Sequence, residues 1–300
     1  KESIMKGKYI IYSLFLLIGF SGLSQTANIL NAKKPEDIGK STNAELTEAA
    51  DEKPLEYGYV DDRDVLWSKG TWEIIDLDER VNFPLYYPVD TLNISANRRS
   101  LYDVLVRAIK EGKIENIYAD SYFTEKRTLK DIQATLSRVD TTNHGIEQYN
   151  AGQEVDEQFI DRRDLSAADI QEYKIRGIWY FDKRQAELKY RILGIAPRAP
   201  DVNFIDDSEL NDLVDLFWVW YPDAREVLYK AKAYIGNNTT VSYDQLLNSR
   251  RFNSVIYKED NVQGDRQIND YIVDNSFMQL LESERIKEQI RNFEQDMWNY

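Results

Sequence analysis

One histidine, His144 in Asn143-His144-Gly145, and no cysteine at all are found among the 300 residues. Those two facts remove most nucleophilic chemistry. A serine nucleophile needs a histidine base within hydrogen-bond reach, and no G-x-S-x-G elbow accompanies His144. An exposed turn histidine is the expected role. Thiolate zinc sites and cysteine nucleophiles are excluded outright. No H-E-x-x-H occurs, and the acid clusters Asp61–Asp64 and Asp206–Asp207 lack the Asp/Asn ladder, glycine and terminal glutamate of a calcium loop. Helix starts and solvated turns account for both. The thirteen glycines form neither G-x-G-x-x-G nor a Walker motif. A glycosidase would need two carboxylates facing each other across an aromatic cleft. The 52 acids, twenty tyrosines and six tryptophans permit one, but no pair is marked by position. The expected set is therefore empty: no catalytic residue, no cofactor and no metal.

Charge and leader narrow the setting. Met5, Lys6 and Lys8, the twelve-residue apolar run Tyr9–Phe20 and then Ser21-Gly22-Leu23-Ser24 read as a secretory signal peptide over residues 1–24. The run falls short of the ~20 residues that span a bilayer. Without a cysteine at the cleavage site the chain carries no lipid anchor of its own, and without disulfides it must be stable through its core. The formal charge is −14, to which residues 1–24 contribute +2 (Lys1, Lys6 and Lys8 against Glu2), leaving −16 on the exported chain. That sign repels phosphate backbones and anionic bilayers, so nucleic acid is not an expected partner. No later segment is apolar enough to span a membrane directly.

The elements that could position a site are these. Residues 25–56 are polar and form a flexible linker or arm; 57–300 form an α+β body, either whole or as two subdomains (about 57–139 and 166–300) joined by a long loop, 140–165. From Val65, the residues Trp67, Thr71, Ile74, Ile75 and Val81 follow helical spacing, with Gly70 counting against an unbroken helix. Phe83–Tyr87 should run extended between Pro84 and Pro88. Ser100–Gly112 is a helix with a Ser100/Asp103 capping box, followed by a strand near Asn116–Ala119 and a helix from Thr128. Tyr173–Phe181 and Leu188–Ile192 alternate as an antiparallel hairpin turning at Asp182–Gln185. Leu216–Tyr221 reads as a strand buried on both sides. Ser276–Tyr300 is a long amphipathic C-terminal helix with Ile286, Ile290, Phe293 and Met297 along one face. Tyr102-Asp103-x-Leu105 before Ile117-Tyr118 is echoed by Tyr243-Asp244-x-Leu246 before Ile256-Tyr257.

Aromatic side chains offer large contact area at little entropic cost. Tyr57, Tyr59, Phe83, Tyr86, Tyr87, Ile290, Phe293 and Trp298 are accordingly the candidate partner-contact residues.

The run Val65–Pro88, the segment Phe217-Trp218-Val219-Trp220-Tyr221-Pro222, Arg251-Phe252-Asn253-Ser254-x-Ile256-Tyr257-Lys258-Glu259 and the ending Asn292-Phe293-Glu294-x-Asp296-x-Trp298-x-Tyr300 resemble the GldN/PorN family of gliding-motility proteins. The resemblance runs from about Tyr57 to the C-terminus. It implies a non-enzymatic structural subunit of the type IX secretion system of Bacteroidetes, in the periplasm and peripherally attached to the outer membrane. It further implies a ring built by self-association with an outer-membrane lipoprotein (GldK/PorK-like), in contact with the periplasmic part of a motor protein (GldM/PorM-like). The competing reading from the residues is a periplasmic glycan-binding or glycan-cleaving protein with an aromatic, acidic groove.

Overall fold

A computed structural model describes residues 53–90, 98–152, 154, 156–204, 212–234 and 240–298. The signal peptide, most of the linker and the Asp206–Asp207 cluster lie outside these residues. Lys53–Tyr300 forms one compact unit. It is built on an antiparallel sheet in the order β11-β1-β5-β6-β8-β2, with β7 also paired to β6. The strands are β1 Val65–Asp76, β2 Ile117–Tyr118, β5 Glu172–Asp182, β6 Glu187–Pro200, β7 Leu213–Asp215, β8 Trp218–Trp220 and β11 Val255–Glu259. Two small two-stranded sheets complete the set, β3 Ser137–Thr141 with β4 Ile160–Asp164, and β9 Lys232–Tyr234 with β10 Thr240–Ser242. The helices are α1 Phe83–Tyr86, α2 Leu101–Lys110, α3 Leu129–Leu136, α4 Asn143–Asn150, α5 Tyr221–Lys230, α6 Tyr243–Asn248, α7 Ile268–Tyr271 and α8 Ser276–Trp298.

The expected helix from Val65 is instead β1. Its central residues are buried on both faces, because odd positions such as Glu73 and Ile75 meet the helices while Trp72 packs on the other side with Ala196 and Trp218. Double-sided burial erases strand alternation and leaves a spacing that imitates a helix. Gly70, a liability in a helix, is required in this strand: its N–H donates to Asp260 Oδ2 at 2.9 Å, and a Cβ there would lie 2.1 Å from the same oxygen. Phe83–Tyr86 is a helical turn rather than extended, since Pro84 sits in its first turn, where the missing N–H costs nothing. Residues 140–165 are not a loop; they hold most of the β3–β4 hairpin and α4 between its strands. Leu216–Tyr221 is strand over Trp218–Trp220 alone, and Tyr221 opens α5 with Pro222 in its first turn.

The long hairpin is present, with β5 and β6 paired from Glu172↔Arg198 to Asp182↔Glu187. Ser100 caps α2 by accepting from Asp103 N at 3.2 Å, but the Asp103 carboxylate turns to Arg99 at 2.6 Å instead of closing the box. Thr128 and Asp131 do close one at α3. The two echoing segments each form a helix followed by an edge strand, β2 and β11, at opposite edges of the sheet.

One face of the sheet carries two layers. Ile75, Tyr173, Ile175, Ile192, Ile195 and Val219 pack under α2, α5 and α6. Toward the hairpin turn, Trp67, Trp179 and Leu188 pack with Ile256, Ile268, Ile286 and Ile290. Between the layers Glu73, with no exposed surface, is held by Arg250 at 2.7 and 3.2 Å and by Ser254 Oγ at 2.5 Å. The rings of Tyr190, Trp179 and Phe252 surround the Arg250 guanidinium at 4.3, 5.1 and 5.2 Å. Removing one partner of a buried pair strands the other charge, so Arg250→Ala should lower unfolding free energy by about 3–5 kcal/mol. Urea denaturation read by tryptophan fluorescence measures it; a loss below about 1 kcal/mol would show that Glu73 finds compensation elsewhere.

Candidate functional site

A groove of about 780 Å³ opens where residues 55–60 cross the outer end of the β5–β6 hairpin. These residues have no regular secondary structure. They enter β1 through a short turn, Asp62–Asp64, in which Arg63 N donates to the Asp61 side chain. The acid cluster at Asp61–Asp64 thus forms a turn start.

Tyr57 is the anchor. Its hydroxyl donates to Asn248 Oδ1 at 2.7 Å, and its ring lies against the guanidiniums of Arg225 at 4.1 Å and Arg191 at 4.8 Å. Beneath it Asp244 binds Arg225 at 3.0 and 3.2 Å, accepts from Tyr221 Oη at 2.9 Å and accepts from Asn248 Nδ2 at 2.8 Å. Burial pushes the Tyr57 hydroxyl up to about 12, against the opposing pull of Arg225. Arg191 also donates to Gly58 O at 2.9 Å, and Arg184 to Tyr59 O at 3.4 Å. Tyr59 itself is 79% exposed.

This is also the groove a sugar-cleaving enzyme would use, and its carboxylates are set for other work. Asp244 is fully engaged by Arg225, Tyr221 and Asn248. Burial raises Asp182, but the Lys189 ammonium and the amides of Arg184 and Gln185 outweigh it and hold the carboxyl below the usual range. A general acid for glycoside cleavage needs the opposite shift. His144 lies on α4, exposed, with Nδ1 3.1 Å from Glu147 Oε2 and its ring near Phe159. Among the described residues no three His, Cys, Asp or Glu side chains gather as a metal site, and no helix is long and apolar enough to cross a membrane.

The other candidate contact residues divide by exposure. Phe83 and Tyr87 are exposed at the α1 corner, meeting edge to face at 5.5 Å, whereas Tyr86 packs partly on the core and donates to Ala168 O at 3.3 Å. Ile290 is 4% exposed, in the layer with Ile256 and Ile286. Phe293 stacks on Trp67 at 4.7 Å and meets Phe181 at 5.9 Å. Both therefore serve the docking of α8 on its own sheet. The side chain of Trp298 lies outside the described residues. The surface that sequence reasoning missed is on the first turns of the same helix: Phe277, Met278, Leu280 and Leu281 are exposed, Phe277 and Leu281 on the side away from Ser283, Ile286 and Ile290, and Met278 and Leu280 on the flanks. A helical wheel of Ser276–Trp298 carries that signal, since apolar residues appear on both of its sides.

The profile of the family described as "Gliding motility associated protein GldN" matches residues 60–299. The chain belongs to the GldN family. No curated protein matches it. The GldN match spans the sheet, α8 and the α1 corner, and begins just after Tyr57 and Tyr59. A component of the gliding-motility machinery is thus the setting in which these surfaces are to be understood.

Tyrosine ionisation tests the groove. Tyr57, Tyr122 and Tyr271 are each pushed up to about 12, chiefly by burial; Asp265 and Glu282 add to the rise at Tyr122 and Tyr271, whereas Arg225 opposes it at Tyr57. An unfolded tyrosine ionises near pH ~10. The folded chain then keeps protons that the unfolded chain releases, so stability is full below pH ~10 and falls as pH rises through about 12. Urea midpoints measured from pH 9 to 12 should fall less steeply in Tyr57→Phe, by one proton's contribution; an unchanged slope would mean that Tyr57 is not docked in solution.

Proposed function

We propose that the chain is a non-enzymatic structural subunit of the type IX secretion and gliding machinery, working in the periplasm. In this reading it is peripherally attached to the outer membrane through a GldK/PorK-like lipoprotein, associates with its own copies in a ring and touches a GldM/PorM-like motor protein. Membership of the GldN family supports the machinery. The leader with its twelve-residue apolar run supports export.

The observation that carries the subunit role is the outer stripe of α8. A helix that already buries Ser283, Ile286 and Ile290 against its own sheet has no folding reason to expose Phe277 and Leu281 on the far side with Met278 and Leu280 beside them. Apolar surface of that kind is covered in an assembly. Phe83 and Tyr87, rigid and exposed at the α1 corner, form a second surface of the same character. In this reading the lipoprotein supplies the attachment to the membrane.

Two measurements test this. The exported protein made alone should be soluble, and should sediment with outer membranes when the lipoprotein partner is co-expressed; identical fractionation with and without that partner would count against the reading. Phe277→Glu combined with Leu281→Glu should weaken the complex by about 2 kcal/mol, roughly thirty-fold, while leaving circular dichroism unchanged. Normal assembly of that variant would clear α8 of a contact role.

A further inference from the structure

The Tyr57 slot is complete before its occupant arrives. Asp244 fixes Arg225 and Asn248, Asn248 Nδ2 is further tied to Asp244 O at 2.9 Å, and every one of these groups lies on α5 or α6. A receptor ordered in advance loses little freedom when it is filled. Its occupant is fastened far more lightly. Tyr57 enters the slot, while Leu55, Glu56 and Tyr59 face solvent. Two arginine bonds to the carbonyls of Gly58 and Tyr59 are the other ties among those described, and residues 55–60 join no strand ladder.

All of these contacts are made by one short linear segment on one side and by a prebuilt groove on the other. Nothing in them depends on the two belonging to the same molecule. The segment joins the body at the Asp61–Asp64 turn, where Lys183 N donates to Asp64 O at 2.8 Å, and eight extended residues, 53–60, reach about 26 Å from it. We infer that in the assembled state the groove receives residues 55–60 of a neighbouring copy, with Tyr57 as the anchor, so that each subunit straps the next. One segment and one groove per chain, used head to tail, give a heterologous contact that propagates or closes on itself. The inference rests on the reading of the chain as an assembly subunit and names the surface through which its copies meet.

The absence of cysteine makes the test clean. Gly58→Cys places a thiol on the segment, where a Cβ meets no atom within 4 Å, and Arg184→Cys places one on the groove wall. The full-length double variant is treated with a short bismaleimide at rising concentration, alone and bound to outer membranes, then run on a denaturing gel. A ladder of dimers, trimers and longer species is expected, and adding Tyr57→Ala should reduce it at least tenfold. Crosslinking within single chains, a ladder that stops at dimers, or unreacted thiols would each overturn the inference. Light scattering of the unmodified chain runs in parallel: assembly without a ladder sinks the strap alone, whereas failure to assemble even with the lipoprotein sinks the subunit reading itself.

Discussion

Glu73 sits in the middle of a central strand with no exposed surface, and the structure around it is arranged to meet its charge. An unpaired carboxylate there would cost several kcal/mol. Arg250 answers it from just beyond α6, where a left-handed backbone (φ 51) turns the side chain back over the sheet. Gly177 makes room for the Tyr190 ring that covers the guanidinium; a Cβ at that position would lie 2.2 Å from Tyr190 Oη. The consequence extends past the pair. Locking Arg250 locks the end of α6, and α6 carries Asp244 and Asn248, which form the floor of the Tyr57 slot. A buried ion pair adds little net stability but specifies one arrangement of its neighbours, and here that arrangement is the groove.

A second constraint acts at the edge of the sheet. β11 pairs with β1 on one side, and an open ladder on the other would invite association. α8 closes it: Ser283 Oγ accepts from Ile256 N at 2.8 Å, and Lys287 donates to Ser254 O at 2.7 Å. The opposite face of the sheet is closed by residues 119–126, gathered around the Asp120 carboxylate, which accepts from the amides of Tyr122, Thr124 and Glu125. That turn drops Phe123 onto Trp220 at 4.8 Å, in space that exists because residue 194 is glycine. With edge and face sealed from within, α8 cannot leave the sheet without exposing β11. Its inner stripe belongs to the fold, and the outer stripe alone is available to a partner.

How legible this was depended on whether a segment buries one side or two. α2 and β5 alternate between buried and less buried residues, and the first half of β6 between charged and apolar ones, so their periods were clean. β6 runs on to Pro200 past the expected Ile192, where residues 194–197 are buried in succession and the alternation is lost. β1 buries Thr71, Trp72 and Glu73 in succession, and no single-segment pattern distinguishes that from a helix. Residues 140–165 form a small hairpin and helix of largely exposed residues, whose weak period resembled a loop. The groove was illegible for a different reason. Tyr57, Arg191, Arg225 and Asn248 come from four distant stretches, and only the fold brings them to one ring. Tyr57 was read as a candidate partner contact; the structure shows it seated against Arg225 and Asn248 of its own chain.

The net charge of −14 bears on where copies of this chain can meet. Like charge opposes association, but at physiological ionic strength it is screened beyond about 8 Å, so the local balance of a surface decides. The chain as a whole carries 52 acids against 38 lysines and arginines. The groove departs from that balance: Arg184, Lys189, Arg191 and Arg225 line it against Glu56, Asp182 and Asp244. Arg225 and Lys189 are matched to Asp244 and Asp182 inside the wall, so an approaching segment meets paired charge and tyrosine rings in place of bare carboxylates. The outer stripe of α8 departs from it too, with four apolar side chains before the first acid of the helix at Glu282. On these two surfaces apolar and charge-paired side chains stand in place of bare carboxylates, so contact there meets less like-charge repulsion than contact between acidic faces.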